Sequence, residues 1–384
     1  MLKFKGFKSG LKGKNTDSRT LVNGGMKALV CAFTLSGLLA SSAYAGGKAD
    51  DYMRVSISSM FDHANKFECE GGDRTAICKT DRYEIGNTNG FVLRDYRYTL
   101  DYKDSRVIER VSGKIEVPSN YDLKPFVPKS FQCSDFTQIH NDKKQVNEQL
   151  VCTIDSDSYK LNIRLRAKAD SSLFANVDSM SLLQKSTAFW DKMLREAVST
   201  KDKKQLAERM DSFKDILSSI DVNLYGVDIA ITKPQLPQRI YEHIFADMID
   251  DSSEASDYAN KRYNQLAHTL YNSGVGYIYG NAMGYVWGND AIDERTKESL
   301  NKLFVTLRDS AMLDSNIKTV YITLTNRTNK GFNLGRAYDK ITQDTNRFYK
   351  LDKEQTGQTL NLFNGDVFNR YRIEVGAARF KQHN

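Results

Sequence analysis

The sequence predicts an α+β protein in which an antiparallel sheet carries amphipathic helices packed on one face. Three observations lead there. Between about Cys69 and Ala169 apolar residues recur at every second position, after Asp170 the spacing changes to three and four, and the strand-like runs are separated by turns short enough for hairpins. Strands and helices arrive in blocks, which favours antiparallel pairing over a strict strand–helix alternation. About 340 residues follow the leader described below, enough for proper cores, and only five prolines interrupt them. The organisation expected is a signal peptide over 1–45, a mainly β, disulfide-bonded region over 46–170, and a mixed region over 171–384 continuous with the preceding sheet.

Tyr96, Tyr98, Leu100 and Tyr102 alternate with polar residues, Lys103-Asp104-Ser105 supplies a turn, and Val111, Gly113, Ile115 and Val117 resume the alternation. Phe131 and Cys133 lie on a further strand ending near Ile139, which the turn Asn141–Lys144 folds back alongside Leu150, Cys152 and Ile154. The run Tyr159–Ala167 has the cleanest period of two, apolar on one side and strongly charged on the other. Leu182 to Val198 and Leu206 to Leu217 then read as two amphipathic helices.

A strand follows with Ile220, Val222 and Leu224 on one parity and Val227, Ile229 and Ile231 on the other. A bulge at Gly226 would keep one buried face. Helices are expected from about Gln238 to Ile249, from near Ser253, and from Asp293 to Leu313 with Leu300, Leu303, Phe304 and Leu307 inward. Val320, Ile322 and Leu324 form a strand, Leu334 to Tyr349 a short helix, and Leu360-Leu362 with Tyr371-Ile373-Val375 a closing hairpin across Asn364-Gly365.

The first residues carry an address. Ala28 to Ala40 is an apolar core too short to span a bilayer, and Ala43-Tyr44-Ala45 is a small-x-small cleavage sequence, the layout of a bacterial secretory signal cut after Ala45. Met26-Lys27 before that core makes a compact signal, so translation is expected to start at Met26. Setting the segment aside removes seven of 55 basic and one of 48 acidic residues, leaving 48 against 47. A nearly neutral mature chain gives no electrostatic case for nucleic acid. No transmembrane anchor is expected in the mature chain, and the expected location is the periplasm, or the cell surface or medium beyond it.

Four cysteines remain, Cys69, Cys78, Cys133 and Cys152. An even number in an exported chain reads as two disulfides, and of the three pairings the sequence-local one, Cys69–Cys78 with Cys133–Cys152, is expected. No Cys-x-x-Cys pair or neighbouring histidine supports a metal instead.

Between Arg262 and Asp290 no residue is charged, and Gly276, Gly280, Gly284 and Gly288 recur every fourth position among Tyr277, Tyr279, Tyr285 and Trp287. Three readings stand. The first is a helix whose glycines let a neighbour cross at close range; the second is a strand–turn–strand at Gly280-Asn281; the third is membrane insertion or self-association. Four helical glycines cost about 1 kcal/mol each in water, so the first requires tight packing in compensation.

The remaining candidates are modest. His243 and Asp247 lie four apart on an expected helix beside Glu242, and Asp62 precedes His63, whereas His268 lies within the uncharged stretch. Asp247, Asp250, Asp251, Glu254 and Asp257 are acidic but lack the alternating pattern and central glycine of a calcium loop; capping of the next helix by Ser252 or Ser253 accounts for them. No nucleophile elbow, phosphate loop or dinucleotide fingerprint occurs, so no catalytic residue, cofactor or metal is assigned. The function expected is non-enzymatic: an envelope protein that binds a partner protein or an apolar or lipid ligand. Two alternatives are a membrane-active or self-associating protein working through residues 271–289, and a hydrolase with a dispersed carboxylate or His243 site.

Overall fold

The alternation of apolar and polar residues builds one wide sheet. The computed structural model describes residues 49–61, 63–85, 90–103, 105–119, 121, 123–175, 218–233, 235–245, 257–328, 330–333, 335–336 and 368–379. Helix α1 (Ala49–Met60) is followed by β1 (Glu68–Gly71), β2 (Thr75–Glu84), β3 (Val92–Lys103), β4 (Arg106–Glu116), β5 (Ser130–His140), β6 (Gln145–Asp155), β7 (Lys160–Asp170) and β8 (Asp221–Thr232). Then come α2 (Leu236–Ile244), α3 (Asp257–Trp287), α4 (Glu294–Ala311), β9 (Ile317–Asn326), β10 (Phe332–Asn333) and β11 (Tyr371–Arg379). The sheet has 11 strands, all pairing antiparallel, in the order β1 to β9 and then β11, with β10 added on β8. It runs without a break across residue 170, because β7 pairs with β8.

Two irregularities keep the same residues facing inward. Between β7 and β8, Arg166 opposes Gly226 while Ala167 opposes Leu224, so Tyr225 is the extra residue of a bulge, as the parity change in the sequence predicts. Between β3 and β4, Arg94 opposes Lys114 and Arg97 opposes Ser112, leaving Asp95 and Tyr96 against Gly113. Asp95 has a φ of 50°, and the alternation read through Tyr96–Tyr102 gave no warning of it.

Because side chains directly opposite one another share a face, the register spells out rows. One row reads Cys69, Cys78, Tyr98, Val111, Cys133, Cys152, Ile163, Ile229, Ile322, Val375. Both disulfides, Cys69–Cys78 and Cys133–Cys152, lie in it, each joining adjacent strands. The next row on the same face reads Ala76, Leu100, Glu109, Asp135, Leu150, Leu165, Val227, Leu324, Ile373. The opposite face carries residues such as Arg97, Arg110 and Arg164, and there Asp228 accepts from Arg166 and Thr323.

Helix α1 packs on β1 to β3, burying Tyr52, Met53 and Ile57 against Cys78, Tyr96 and Leu100. Phe61, Phe67, Tyr83 and Tyr96 stack edge-on beside it. At the other end α4 packs on β9 and β11, and Leu300 of α4 with Val286 of α3 clusters with Ile373 and Leu324. Asp293 caps α4 by accepting the Thr296 N–H at 2.7 Å. Helix α3 packs on α4, and Tyr271 donates its hydroxyl hydrogen to the Ala311 carbonyl at 3.2 Å.

Among the described residues no helix is long and apolar enough to cross a membrane. The signal peptide, the helix pair expected over 182–217, the helix expected over 334–349 apart from residues 335–336, the strand at Leu360-Leu362, and Asp62, Asp247, Asp250, Asp251 and Glu254 lie outside the described residues.

Candidate functional site, a buried carboxylate patch

The centre of the row-bearing face holds three acids where the alternation calls for apolar side chains. Val107-x-Glu109-x-Val111 on β4, Cys133-x-Asp135-x-Thr137 on β5 and Val146-x-Glu148-x-Leu150 on β6 are each in phase with buried neighbours. Glu109 stands directly opposite Asp135. Glu148 stands opposite Thr137, one inward position along β5 from Asp135. All three are buried: Glu109 and Asp135 are 7% exposed and Glu148 3%.

Their surroundings differ. Glu109 accepts two phenolic hydrogens on the same Oε1, from Tyr52 of α1 at 3.0 Å and from Tyr98 of β3. Burial raises its pKa, and those two donors oppose the rise. Among the described residues, no side chain donates a hydrogen bond to either oxygen of Asp135 or to Oε2 of Glu148. Burial pushes Asp135 well above the ordinary carboxylate range, the charges of Glu148 and Glu109 push it further, and the Phe136 amide offsets this only in part. Burial, with the charge of Glu109, pushes Glu148 up to about 8. Tyr98 in turn is raised by its burial and by the charge of Glu109. The patch therefore sets a Glu109 carboxyl bonded by two tyrosines beside two carboxyls that burial and their neighbours' charge drive toward the protonated form.

Orphaned oxygens at this depth are uncommon and call for an occupant or a proton-dependent role. Among the described residues no group of three histidine, cysteine or carboxylate side chains is placed to hold a metal ion. What the patch can do is take up or release protons, accept hydrogen bonds at several oxygens, and neutralise a cation entering the apolar face.

The other candidates lie elsewhere. His243 is exposed near the end of α2, its ring 5.9 Å from that of Phe126, and Glu242 pairs with Arg239. His63 and His268 are exposed and distant in sequence from any carboxylate of the patch. The glycine-rich segment is helical through Trp287, so the turn at Gly280-Asn281 does not form. A Cβ added at Gly276, Gly280 or Gly284 would meet nothing within 4 Å, and at Gly288 only the Gly284 carbonyl at 3.2 Å. Tyr277 is 73% exposed; Tyr285 and Trp287 are exposed and Tyr279 is half-buried.

Sequence reasoning missed Glu109, Asp135 and Glu148. The signal was available: an acid at an inward parity position on each of three consecutive strands.

No protein-family model matches the chain, and no curated protein matches it.

Proposed function

We propose that this is an exported, non-enzymatic envelope protein that binds an apolar or lipid ligand on the row-bearing face of its sheet. The observation that supports it is the row from Ala76 to Ile373, nine strands wide, apolar on both flanks and interrupted only by Glu109 and Asp135. Ala76 and Leu100 belong to the α1 cluster, while Leu324 and Ile373 belong to the α4 cluster. That common row supports both helices lying on one side, as walls at the two ends of a face whose middle is β4 to β8. Two disulfides suit an oxidising compartment. Native mass spectrometry of protein purified from the periplasm tests the reading. A bound species of lipid mass supports it, and an empty protein that takes up no apolar probe overturns it.

A second reading draws on α3. Leu266, Leu270, Tyr277, Ile278, Tyr285 and Trp287 are exposed along a helix with no charge after Arg262, which favours contact with a second copy or a lipid surface. Liposome flotation and the solution mass of the protein separate these, and a monomer that never floats removes them.

A further inference from the structure

Resting on the ligand-binding reading, we infer that the ligand is a cationic amphiphile whose ammonium or guanidinium head sits at Asp135 and Glu148. Its apolar part runs along Leu150, Leu165 and Val227, which continue the Asp135 row on β6, β7 and β8.

Three observations carry this. Asp135 and Glu148 are more than nine-tenths buried and together leave three carboxyl oxygens without a side-chain donor. A head group with several N–H donors supplies what those oxygens lack, in a fork or tripod of hydrogen bonds. Second, on the side away from Glu109 the adjoining residues of the same face are apolar or small: Leu150 opposite Asp135, Ala167 opposite Glu148, Leu165 opposite Leu150. A polar head therefore has an apolar track leading from it. Third, Glu109 is already satisfied by Tyr52 and Tyr98, so the demand for a donor is confined to the other two acids.

Among the described residues, the titratable groups facing the pair are Glu109 on β4, Tyr98 on β3 and Tyr52 on α1; β7 presents Ala167 and Leu165 there. Entry of one cation lets one carboxylic acid ionise, and its proton leaves to solvent. Binding is thus an exchange of a proton for an organic cation, and it strengthens as pH rises toward 8.

The test uses three probes of equal chain length, octylammonium, octanol and octanoate, titrated calorimetrically into the mature protein, Asp135→Asn and Glu148→Gln. Octylammonium is expected to bind at least about tenfold more tightly than octanol, with proton release seen as a dependence of the heat on buffer. In either variant that preference is expected to fall to about parity while octanol binding persists, which also certifies the fold. Equal binding of octylammonium and octanol by the unmodified protein overturns the cationic head and leaves the apolar reading intact. Preference for octanoate, or displacement of octylammonium by calcium or magnesium, also overturns it. Binding of none of the three overturns both.

Discussion

Glu109 and Asp135 face each other across β4 and β5, yet only Glu109 has side-chain hydrogen-bond donors. Like charges directly opposite on a sheet repel, and burial magnifies the repulsion. The two tyrosines favour the charge on Glu109, while burial and the neighbouring charges drive Asp135 toward its protonated form.

The first prediction concerns pH. Glu148 titrates near 8 in the folded protein against an ordinary value of 4.5. Between those values the folded state binds more protons than the unfolded one, so stability is greatest at the acidic end and falls as pH rises, with the loss complete above about 8. Asp135 shifts in the same direction. Urea midpoints are expected to be higher at about pH 5.5 than at about pH 8.5. Equal midpoints would remove the protonated pair.

Removing the charge without removing the shape gives the second. Glu148→Gln and Asp135→Asn are expected to raise stability at about pH 8.5, by roughly 1 to 3 kcal/mol each, and to flatten the pH profile. Denaturation of each variant at both pH values reads this directly, and a variant destabilised at high pH would contradict it.

Helix α3 supplies a third. With nothing within 4 Å of an added Cβ at Gly280 or Gly284, Gly280→Ala and Gly284→Ala are expected to stabilise the protein by about 1 kcal/mol each, the helix-propensity difference between the two residues. A loss of stability would place another backbone against this face.

Gly71 behaves in the opposite way. A Cβ there would lie 2.5 Å from the Thr75 carbonyl oxygen and 2.6 Å from the Ala76 Cα, both backbone atoms that cannot step aside. Gly71→Ala is expected to cost about 1 to 3 kcal/mol, measurable as a lowered thermal midpoint.

Asp293→Ala removes the cap of α4 and is expected to cost about 1 kcal/mol in chemical denaturation, with Asp293→Asn nearly neutral.

Period-two runs made β3 to β7 readable because each of those strands buries one face only, so the alternation survives in the residue order. The bulge beside Gly226 was readable for the same reason: apolar parity changes between Leu224 and Val227. Nothing comparable marked Asp95, where Tyr96 continues a pattern that already looked regular. Helix α1 escaped notice although Tyr52, Met53, Ser56, Ile57 and Met60 recur at helical spacing, because the stretch is short and rich in serine and β-branched residues. The carboxylates were hidden by a different mechanism. A single acid within an alternating strand passes for an outward residue; its inward parity shows only when each strand's phase is counted, and the pairing of β4, β5 and β6 then brings the three together.

From β1 to β9 each strand pairs with the one immediately before it in the chain, and only β10 and β11 reach back past a neighbour, to β8 and β9. A polypeptide delivered amino end first can therefore knit this sheet in the order of its arrival, each new strand docking on the edge left by its predecessor. The two cystine crosslinks close within the hairpins they belong to, so neither waits on sequence still to emerge.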